Sequence, residues 1–334
     1  MPQKFLVIQT AFIGDVVLAT GIIEKLHRFF PEAEIDFLVR KGNESLLANH
    51  PFLNVLVWNK KEKKFLNLWK LLKKIRKRKY DKVINVQRFA ATGLLTSLSG
   101  AKEKIGFDKN PFSFLFDKKV KHVFDKKGSD KHEIDRNNDL IEHFTDSVSE
   151  KPRLYPSSAD FEFIKEFTKT PYITISPASV WFTKQFPLDK WVSFINEVQP
   201  HVNIFLLGAE NDNQLGDGIR MATKHPSVFN LSGQLTFLQS TALIKNAAMN
   251  YVNDSASLHF ASATNAPVTA IYCSTLPEFG FGPLSEKSFI VEIEEELPCR
   301  PCTLHGRNAC PLGHFNCAYK IKNEQLISTL PAMT

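Results

Sequence analysis

Residues 5–20 read Phe5-Leu-Val-Ile-Gln-Thr-Ala-Phe-Ile-Gly-Asp-Val-Val-Leu-Ala-Thr20. The apolar run that opens the stretch is typical of a buried parallel strand. Gly14 permits a tight turn, and from Val16 onward apolar residues recur at helical spacing. The stretch therefore predicts a strand, a turn and the beginning of a helix.

Asp15 stands at this turn and has two interpretations. A carboxylate at a helix start accepts hydrogen bonds from backbone N–H groups that have no partner inside the helix, which is ordinary capping. A carboxylate at the carboxyl end of the first strand of an open α/β sheet also lies where such folds bind ligands. The stretch alone favours capping, so the rest of the chain has to decide.

The length of 334 residues exceeds what one hydrophobic core usually supports, and two domains are expected. Strands alternate with helices in both halves, which predicts an α/β fold of two Rossmann-like domains that face a central cleft. The predicted domains are residues 1–155 and 156–334, joined by a Pro-containing linker at 151–158. As an alternative, the last helix packs back on the first domain. Residues 100–131 are expected to be less regular.

The formal charge of +7 is concentrated in two stretches. Residues 60–82 hold twelve Lys or Arg against two acidic residues, and residues 118–131 form a second basic stretch. Such stretches suggest anionic partners, namely nucleic acid, acidic lipid or a phosphorylated sugar, although a solvated helix face is the commoner explanation. The sequence has no aromatic-interleaved basic sheet and no recognition-helix motif, so we expect no nucleic-acid partner.

The chain shows no sign of a membrane span or a leader. Its apolar runs are shorter than the ~20 residues that a span needs. The first strand follows directly on Met-Pro-Gln-Lys, which leaves no room for a signal peptide. We therefore expect a cytoplasmic protein, with peripheral contact to the inner face of the cytoplasmic membrane as an option.

Four of the five cysteines cluster near the end of the chain. They form the pattern C-x2-C-x7-C-x6-C at Cys299, Cys302, Cys310 and Cys317, with two histidines interleaved. The second pair is not a tight Cys-x-x-Cys hook, so a loop packed as reduced thiols is favoured over structural zinc. Disulfides are not expected in a reducing compartment.

A helix start in the second half has the features of an anion site. Asp254, Ser255, Ala256 and Ser257 close a strand and open a helix, and small residues there leave backbone N–H groups open to a phosphate. Ordinary capping by Asp254 or Ser255 is the alternative. His259, one turn further on, is either a ligand contact or a core histidine.

Two further residues follow strand ends in this half. Lys184, in a Pro- and aromatic-rich loop, could reach the same phosphates as a point charge, or be a surface lysine. Glu210 could accept hydrogen bonds from the ribose hydroxyls of a nucleotide. Neither G-x-G-x-x-G after the first strand nor G-x-x-x-x-G-K-[ST] anywhere is present, which argues against a dinucleotide fingerprint and a P-loop.

Taken together, the motifs resemble the bacterial heptosyltransferases of lipopolysaccharide core assembly, glycosyltransferase family 9. The resemblance begins with residues 6–20 and covers nearly the whole chain. The other matching segments, in the family's order, are Tyr80-Asp81, Ile105-Gly106-Phe107, His132-x-x-x-Arg136, Ile175-Ser-Pro-Ala-Ser179, Lys184-Gln-Phe-Pro187, Gly208-Ala-Glu210, Asn253-Asp-Ser255 with His259, Pro277-Glu-Phe-Gly280, Pro298-Cys-Arg-Pro-Cys302 and Cys310-Pro-Leu-Gly-His314.

The resemblance implies a GT-B fold and an inverting glycosyl transfer that needs no cofactor and no protein-bound metal. Asp15 matches the position of the proposed general base. The first domain is then the acceptor-binding one, with Gly14 and Arg136 at the acceptor. The implied acceptor is an anionic glycolipid of the lipopolysaccharide core or lipid A type.

The second domain is then expected to bind an ADP-sugar, typically ADP-L-glycero-D-manno-heptose. Lys184 matches the diphosphate-binding lysine and Glu210 the region of the nucleotide ribose. The remaining donor-binding residues implied by the resemblance are Ser179, Thr183, Asp254, Ser255, Ala256, Ser257 and His259. The family usually has Gly where Ala256 or Ser257 stands, and His-Pro-Gly where this chain has Ser176-Pro-Ala178. A sugar-nucleotide-binding protein without transferase activity is therefore kept as the alternative.

Overall fold

The structure is a computed structural model that describes residues 2–60, 62, 64–123 and 131–332, with the side chains of residues 64 and 65 left out. The described chain forms two compact units, one comprising residues 2–123 and 131–155 and the other residues 156–332. Parts of both basic stretches, residues 61, 63 and 124–130, lie outside the described residues.

The first unit is a parallel sheet with helices. In chain order its elements are β1 (Lys4–Ile8), α1 (Ile13–Phe29), β2 (Glu34–Arg40), β3 (Asn54–Trp58), α2 (Lys64–Arg78), β4 (Lys82–Asn85), α3 (Ala90–Ser97), β5 (Glu103–Phe107), β6 (Lys118–Val120) and α4 (Glu133–Asp139). The strand order is β3-β2-β1-β4-β5-β6, and every pairing is parallel.

The second unit repeats this architecture. Its elements are α5 (Ser158–Ile164), β7 (Tyr172–Ser176), α6 (Leu188–Glu197), β8 (Asn203–Leu206), α7 (Asn213–Ala222), β9 (Val228–Asn230), α8 (Phe237–Asn246), β10 (Met249–Asn253), α9 (Ala256–Thr264), β11 (Val268–Tyr272), β12 (Ser288–Glu292), α10 (Asn316–Tyr319) and α11 (Asn323–Ile327). The strand order is β12-β11-β10-β7-β8-β9, again with every pairing parallel.

Burial explains the apolar run of β1. Phe5, Leu6, Val7 and Ile8 of β1 are all fully buried, because helices of the unit pack on a parallel sheet and leave neither face of a central strand to solvent. The strands β7, β10 and β11 are likewise buried at every position. The order of strands reverses beside β1 and beside β7. In open α/β sheets ligands bind at the carboxyl ends of the strands that flank such a point.

The fold class predicted from the sequence, α/β with parallel sheets in both halves, is confirmed. Residues 100–131 are less irregular than expected, since β5 and β6 lie there. These two strands and β12 are hard to recognise, because β5 begins with charged residues and β6 and β12 are edge strands that begin with Lys or Ser. The linker is also shorter than expected, because α5 begins at Ser158. The last helix, α11, packs against α6 of the second unit.

Lys25 on α1 is the charged residue that ties the first unit together. It is fully buried, yet its ammonium group has four acceptors, one of which is the Asp146 carbonyl. Its Nζ donates to Asn138 Oδ1 at 2.7 Å, to Asp146 Oδ1 at 2.6 Å and to the Val148 carbonyl at 2.8 Å. A buried cation is tolerated only when it is paired and hydrogen-bonded in this way. Lys25 therefore joins α1 to the end of α4 and the segment that follows it.

We expect Lys25→Met to lower the free energy of unfolding by about 2–4 kcal/mol, because it removes the hydrogen bonds of a buried ammonium group and leaves the oxygen of the buried Asn138 amide without this donor. Urea unfolding of the variant measures the change. Lys102→Met is the matched control, since the Lys102 side chain is 81% exposed and pairs only at the surface with Asp81. A loss for Lys25→Met no larger than that of the control would contradict the structural role.

Candidate active site

Asp15 lies at the carboxyl end of β1, in the first turn of α1. The helix begins at Ile13, so Asp15 is the third helical residue and not the N-cap that simple capping would require. Its Oδ2 accepts a hydrogen bond of 3.2 Å from the backbone N–H of Phe12, which is the N-cap residue. Asp15 and the preceding Gly14 are half-buried. The carboxylate therefore stabilises the helix start and is also reachable from solvent.

Arg136 and Glu133 form a buried ion pair on α4, which packs against α1. Arg136 Nη1 lies 3.0 Å from Glu133 Oε2, and the two residues are 3% and 9% exposed. A buried ion pair of this kind holds both side chains in one geometry, because moving either would leave the other charge unpaired. Arg136, predicted from the resemblance, is thus fixed by a carboxylate that the sequence analysis did not single out.

Burial and neighbouring charges shift the pKa values of Glu133 and His122. Burial raises the pKa of Glu133 to about 7; Arg136 opposes the increase, and the nearby charge of Asp15 adds to it. Burial lowers the pKa of His122 to about 4, helped by the charges of Arg88 and Arg136. The structure therefore brings Asp15, Glu133, Arg136 and Arg88 into one electrostatic neighbourhood. Glu133 therefore holds a proton more readily than an ordinary carboxyl group.

In the second unit, Lys184 and Asp254 form a close ion pair at the ends of different segments. Lys184 Nζ lies 2.6 Å from Asp254 Oδ2, which also accepts a 2.8 Å hydrogen bond from the Thr275 hydroxyl. Lys184 is half-buried and Asp254 is 7% exposed. Lys184 is therefore not the free surface lysine of the alternative interpretation.

No side chain at the N-cap position bonds to the backbone N–H groups at the start of α9. Asp254 is engaged with Lys184, and Ser255, the N-cap residue, makes no side-chain hydrogen bond to the helix. The Ser255 hydroxyl has no hydrogen-bond partner among the residues that the structure describes. Simple capping by either residue is therefore wrong. The N–H groups near Ala256 and Ser257, which are both half-buried, keep the anion-binding capacity that helix starts possess. His259 lies in the second turn and is 5% exposed.

A segment near the end of the chain braces the loop that carries Lys184. Thr183 is fully buried and forms a two-way pair with Arg307. Its N–H donates to the Arg307 carbonyl at 3.0 Å, and its hydroxyl accepts from the Arg307 N–H at 2.8 Å and from the Ser274 hydroxyl at 2.9 Å. Thr183 therefore holds the loop in place, and a direct contact of Thr183 with a donor stays a prediction.

Gly306, next to Arg307, fits closely against the same loop. Its φ of +83° lies in the left-handed region, and an added Cβ would stand 2.9 Å from Lys184 Cγ. Ser179, at the other side of the loop, is half-buried, and its carbonyl accepts a 2.6 Å hydrogen bond from the Gln185 amide. The loop is thus fixed at both of its flanks.

Glu210 follows β8, the strand next to β7, and is exposed. It opens a single 3₁₀ turn, Glu210–Asp212. Gly233, with a φ of +75°, passes so close that an added Cβ would lie 2.7 Å from Glu210 Cα. The strand ends therefore place Glu210 one loop away from the Lys184–Asp254 pair, with its carboxylate open to solvent.

The clustered cysteines are reduced and packed in the second unit. All five cysteines are free, and Cys317 belongs to the hydrophobic core. Burial raises the pKa of the Cys317 thiol to about 12, and the neighbouring Cys302 and Cys299 add to the increase. Within residues 2–60, 62, 64–123 and 131–332, no group of three or more His, Cys, Asp or Glu is arranged to hold a metal ion.

Three members of these clusters were missed by the sequence analysis. Glu133 is adjacent to the His132 of a matched motif, and Arg88 lies in the loop after β4, so both carried a positional signal. The pair of Thr183 and Arg307 carried none, because 124 residues separate its members and the bonds run partly through the backbone.

Comparison with known proteins agrees with this architecture. The profile of glycosyltransferase family 9 (heptosyltransferase) matches residues 68–308, more than half of the chain. Lipopolysaccharide heptosyltransferase 3 of Escherichia coli is 26% identical, with 79% of this chain and 82% of the relative covered. Lipopolysaccharide core heptosyltransferase OpsX of Haemophilus influenzae is 24% identical, with 88% and 86% covered.

Solved structures show the same fold. ADP-heptose lps heptosyltransferase II of E. coli superposes with a TM-score of 0.80 at 20% identity, over 98% of this chain and 97% of that one. A family 9 glycosyl transferase of Veillonella parvula gives a TM-score of 0.84 at 17% identity, over 98% and 96%. The GT-B fold expected from the resemblance is thereby confirmed.

Proposed function

The chain belongs to glycosyltransferase family 9, and from this premise we propose that it moves a heptose, or a related sugar, from an ADP-sugar to a lipopolysaccharide core or lipid A-type acceptor. We propose inversion at the anomeric carbon, without a metal held by the protein. The observation that carries the proposal is that the Lys184 ammonium lies beside the start of α9, whose backbone N–H groups can bind an anion. The names of the relatives supply the sugar and the acceptor class.

The donor site belongs to the second unit. A departing nucleoside diphosphate is stabilised by positive charge and by N–H donors aimed at it. Lys184 supplies the charge, and the N–H groups at Ser255, Ala256 and Ser257 supply the donors. Asp254 holds the Lys184 ammonium in place at 2.6 Å, and Glu210 is assigned to the ribose hydroxyls. Ser179 and His259 are also assigned to donor binding.

The acceptor site belongs to the first unit. A single displacement at the anomeric carbon needs a base that takes the proton of the attacking hydroxyl. Asp15 is half-buried, lies at a strand end and is held by the Phe12 N–H, so it meets the requirement of a fixed carboxylate. Gly14 lets the acceptor approach the backbone. Arg136, fixed by Glu133, is assigned to the anionic groups of the acceptor.

A donor screen tests the proposal most directly. Purified protein is incubated with ADP-, GDP- and UDP-sugars and a lipopolysaccharide core acceptor, and product is detected by mass spectrometry. We expect transfer from ADP-heptose, retention of activity in EDTA and an inverted anomeric centre by NMR. ADP binding without turnover on any acceptor would favour the non-catalytic alternative, and transfer only from GDP- or UDP-sugars would contradict the donor assignment.

We also propose a cytoplasmic location with peripheral contact to the inner face of the membrane, made by α2. This helix buries Leu68, Leu71 and Ile75 but exposes 56% of Trp69 and 49% of Leu66. Residues 64–78 include seven Lys or Arg and no acidic residue. An exposed aromatic residue among lysines suits an anionic lipid surface. No helix among the described residues is long and apolar enough to cross a membrane.

Sedimentation with lipid vesicles tests the contact. We expect the protein to pellet with phosphatidylglycerol vesicles more than with phosphatidylcholine vesicles, and Trp69→Ser to weaken the effect. Equal partition to both lipids would contradict the assignment of α2.

A further inference from the structure

Three strongly exposed phenylalanines follow three neighbouring strands of the first unit. Phe12 comes after β1, Phe89 after β4 and Phe114 after β5, and they are 56%, 63% and 71% exposed. The strands β1, β4 and β5 are consecutive in the sheet and parallel, so their carboxyl ends meet at one edge. Exposed apolar side chains mark a binding site when they lie on one patch of surface, and the loops that carry these three rings leave the same edge of the sheet.

The loops that carry these rings are held by buried hydrogen bonds. The Thr10 hydroxyl donates to Gln87 Oε1 at 2.6 Å, which joins the loops after β1 and β4. The Asn110 amide donates to the Gln87 and Phe89 carbonyls at 3.0 and 3.2 Å, which joins the loops after β4 and β5. Because the backbone is fixed on both sides of Phe89, the exposure of this ring is built into the fold.

Cations stand beside the rings. The Arg40 guanidinium, at the end of β2, lies 5.3 Å from the centre of the Phe12 ring. Lys60, after β3, donates to the Thr10 carbonyl at 2.9 Å, which keeps it at the same edge. Arg88 precedes Phe89 directly. The loops at this edge therefore carry aromatic faces and positive charge, and the loop after β1 leads to Asp15.

This combination matches one ligand chemistry. The C–H face of a sugar ring packs on an aromatic face, and phosphate groups pair with Arg and Lys. We propose that the carboxyl edge of the first sheet is a stacking platform for a phosphorylated sugar ring of the acceptor, formed by Phe12, Phe89, Phe114, Arg40, Lys60 and Arg88. The inference rests on the proposed function and adds the chemical class that the acceptor must present next to Asp15.

The platform predicts a specific effect of Phe89→Ala. The probe is a soluble, deacylated lipopolysaccharide core fragment, used with its phosphates and after phosphatase treatment, and binding is measured by calorimetry. We expect Phe89→Ala to weaken binding by about 10-fold or more, as loss of a stacked ring does, and Phe89→Tyr to retain it. Removal of the phosphates should weaken binding to the wild-type protein as well. Phe163→Ala, at a phenylalanine that is 53% exposed on α5, is the matched control and should bind normally.

The outcomes separate the platform from the proposed function. Unchanged binding in Phe89→Ala, or no binding of the fragment to the wild-type protein, overturns the platform even if sugar transfer is observed. Phe89-dependent binding without transfer from any sugar nucleotide keeps the platform and overturns the proposed function. If Phe89→Ala lowers only vesicle binding, the rings contact lipid and the sugar assignment is wrong.

Discussion

Asp15→Asn should lower the turnover of sugar transfer by about 10²- to 10⁴-fold, the usual contribution of a general base. The amide keeps the size of the side chain and its oxygen can still accept from the Phe12 N–H, now 3.2 Å away. What it loses is the ability to take a proton from the acceptor hydroxyl. Binding of ADP, measured by calorimetry, should stay close to that of the wild-type protein, because the assigned donor residues lie in the other unit.

A matched control variant separates the effect of helix capping from the effect on catalysis. Asp160 on α5 occupies the same third helical position, and its Oδ2 accepts from the N-cap N–H of Ser157 at 2.8 Å. Asp160→Asn should therefore perturb stability as Asp15→Asn does, while leaving turnover intact. Loss of ADP binding in Asp15→Asn, or an equal loss of turnover in both variants, would show that Asp15 is not the base.

Lys184→Met should weaken ADP binding by about 30- to 100-fold, a change of about 2–2.7 kcal/mol. The substitution removes the cation assigned to the diphosphate and leaves the Asp254 carboxylate, which is 7% exposed, facing the site alone. Repulsion between that carboxylate and the diphosphate adds to the loss. Calorimetric titration with ADP gives the affinity, and thermal unfolding reports any loss of stability.

The double variant Lys184→Met, Asp254→Asn separates two explanations of that loss. If Lys184 only neutralises Asp254, neutralising the carboxylate should restore ADP affinity. If Lys184 contacts the diphosphate, the double variant should regain stability but stay at least about 10-fold weaker for ADP. Full recovery of affinity would exclude the diphosphate contact.

Local patterns predicted the central strands and the turns at their ends. The apolar residues of β1 and the largely apolar β7 could be recognised, because these strands are buried on both faces; β10 also carries two asparagines. Since ligand-binding loops follow such strands, the positions of Asp15, Lys184 and Asp254 could be singled out. The edge strands β6 and β12 were missed because β6 has only three residues, two of them exposed lysines, and β12 begins with Ser288 and ends with Glu292.

Pairings over long distances in the chain could not be predicted. Lys184 and Asp254 form an ion pair although they are 70 positions apart in the sequence. Neither residue type indicates which residue it will pair with. The Glu133–Arg136 pair is local, but the burial that raises the pKa of Glu133 to about 7 comes from the packing of other elements around it. Single residues at strand ends can thus be read from sequence, whereas their charge state depends on the assembled fold.

The bonds between Thr183 and Arg307 have a consequence for biosynthesis. A nascent chain that has not yet extended past Arg307 lacks the backbone partner of Thr183 and the close fit of Gly306 against Lys184. The strands β7, β8, β10 and β11 are all translated earlier. Translation therefore supplies these strands first and the partner of the donor loop only later, so the loop that carries Lys184 stays unbraced until Arg307 has been added.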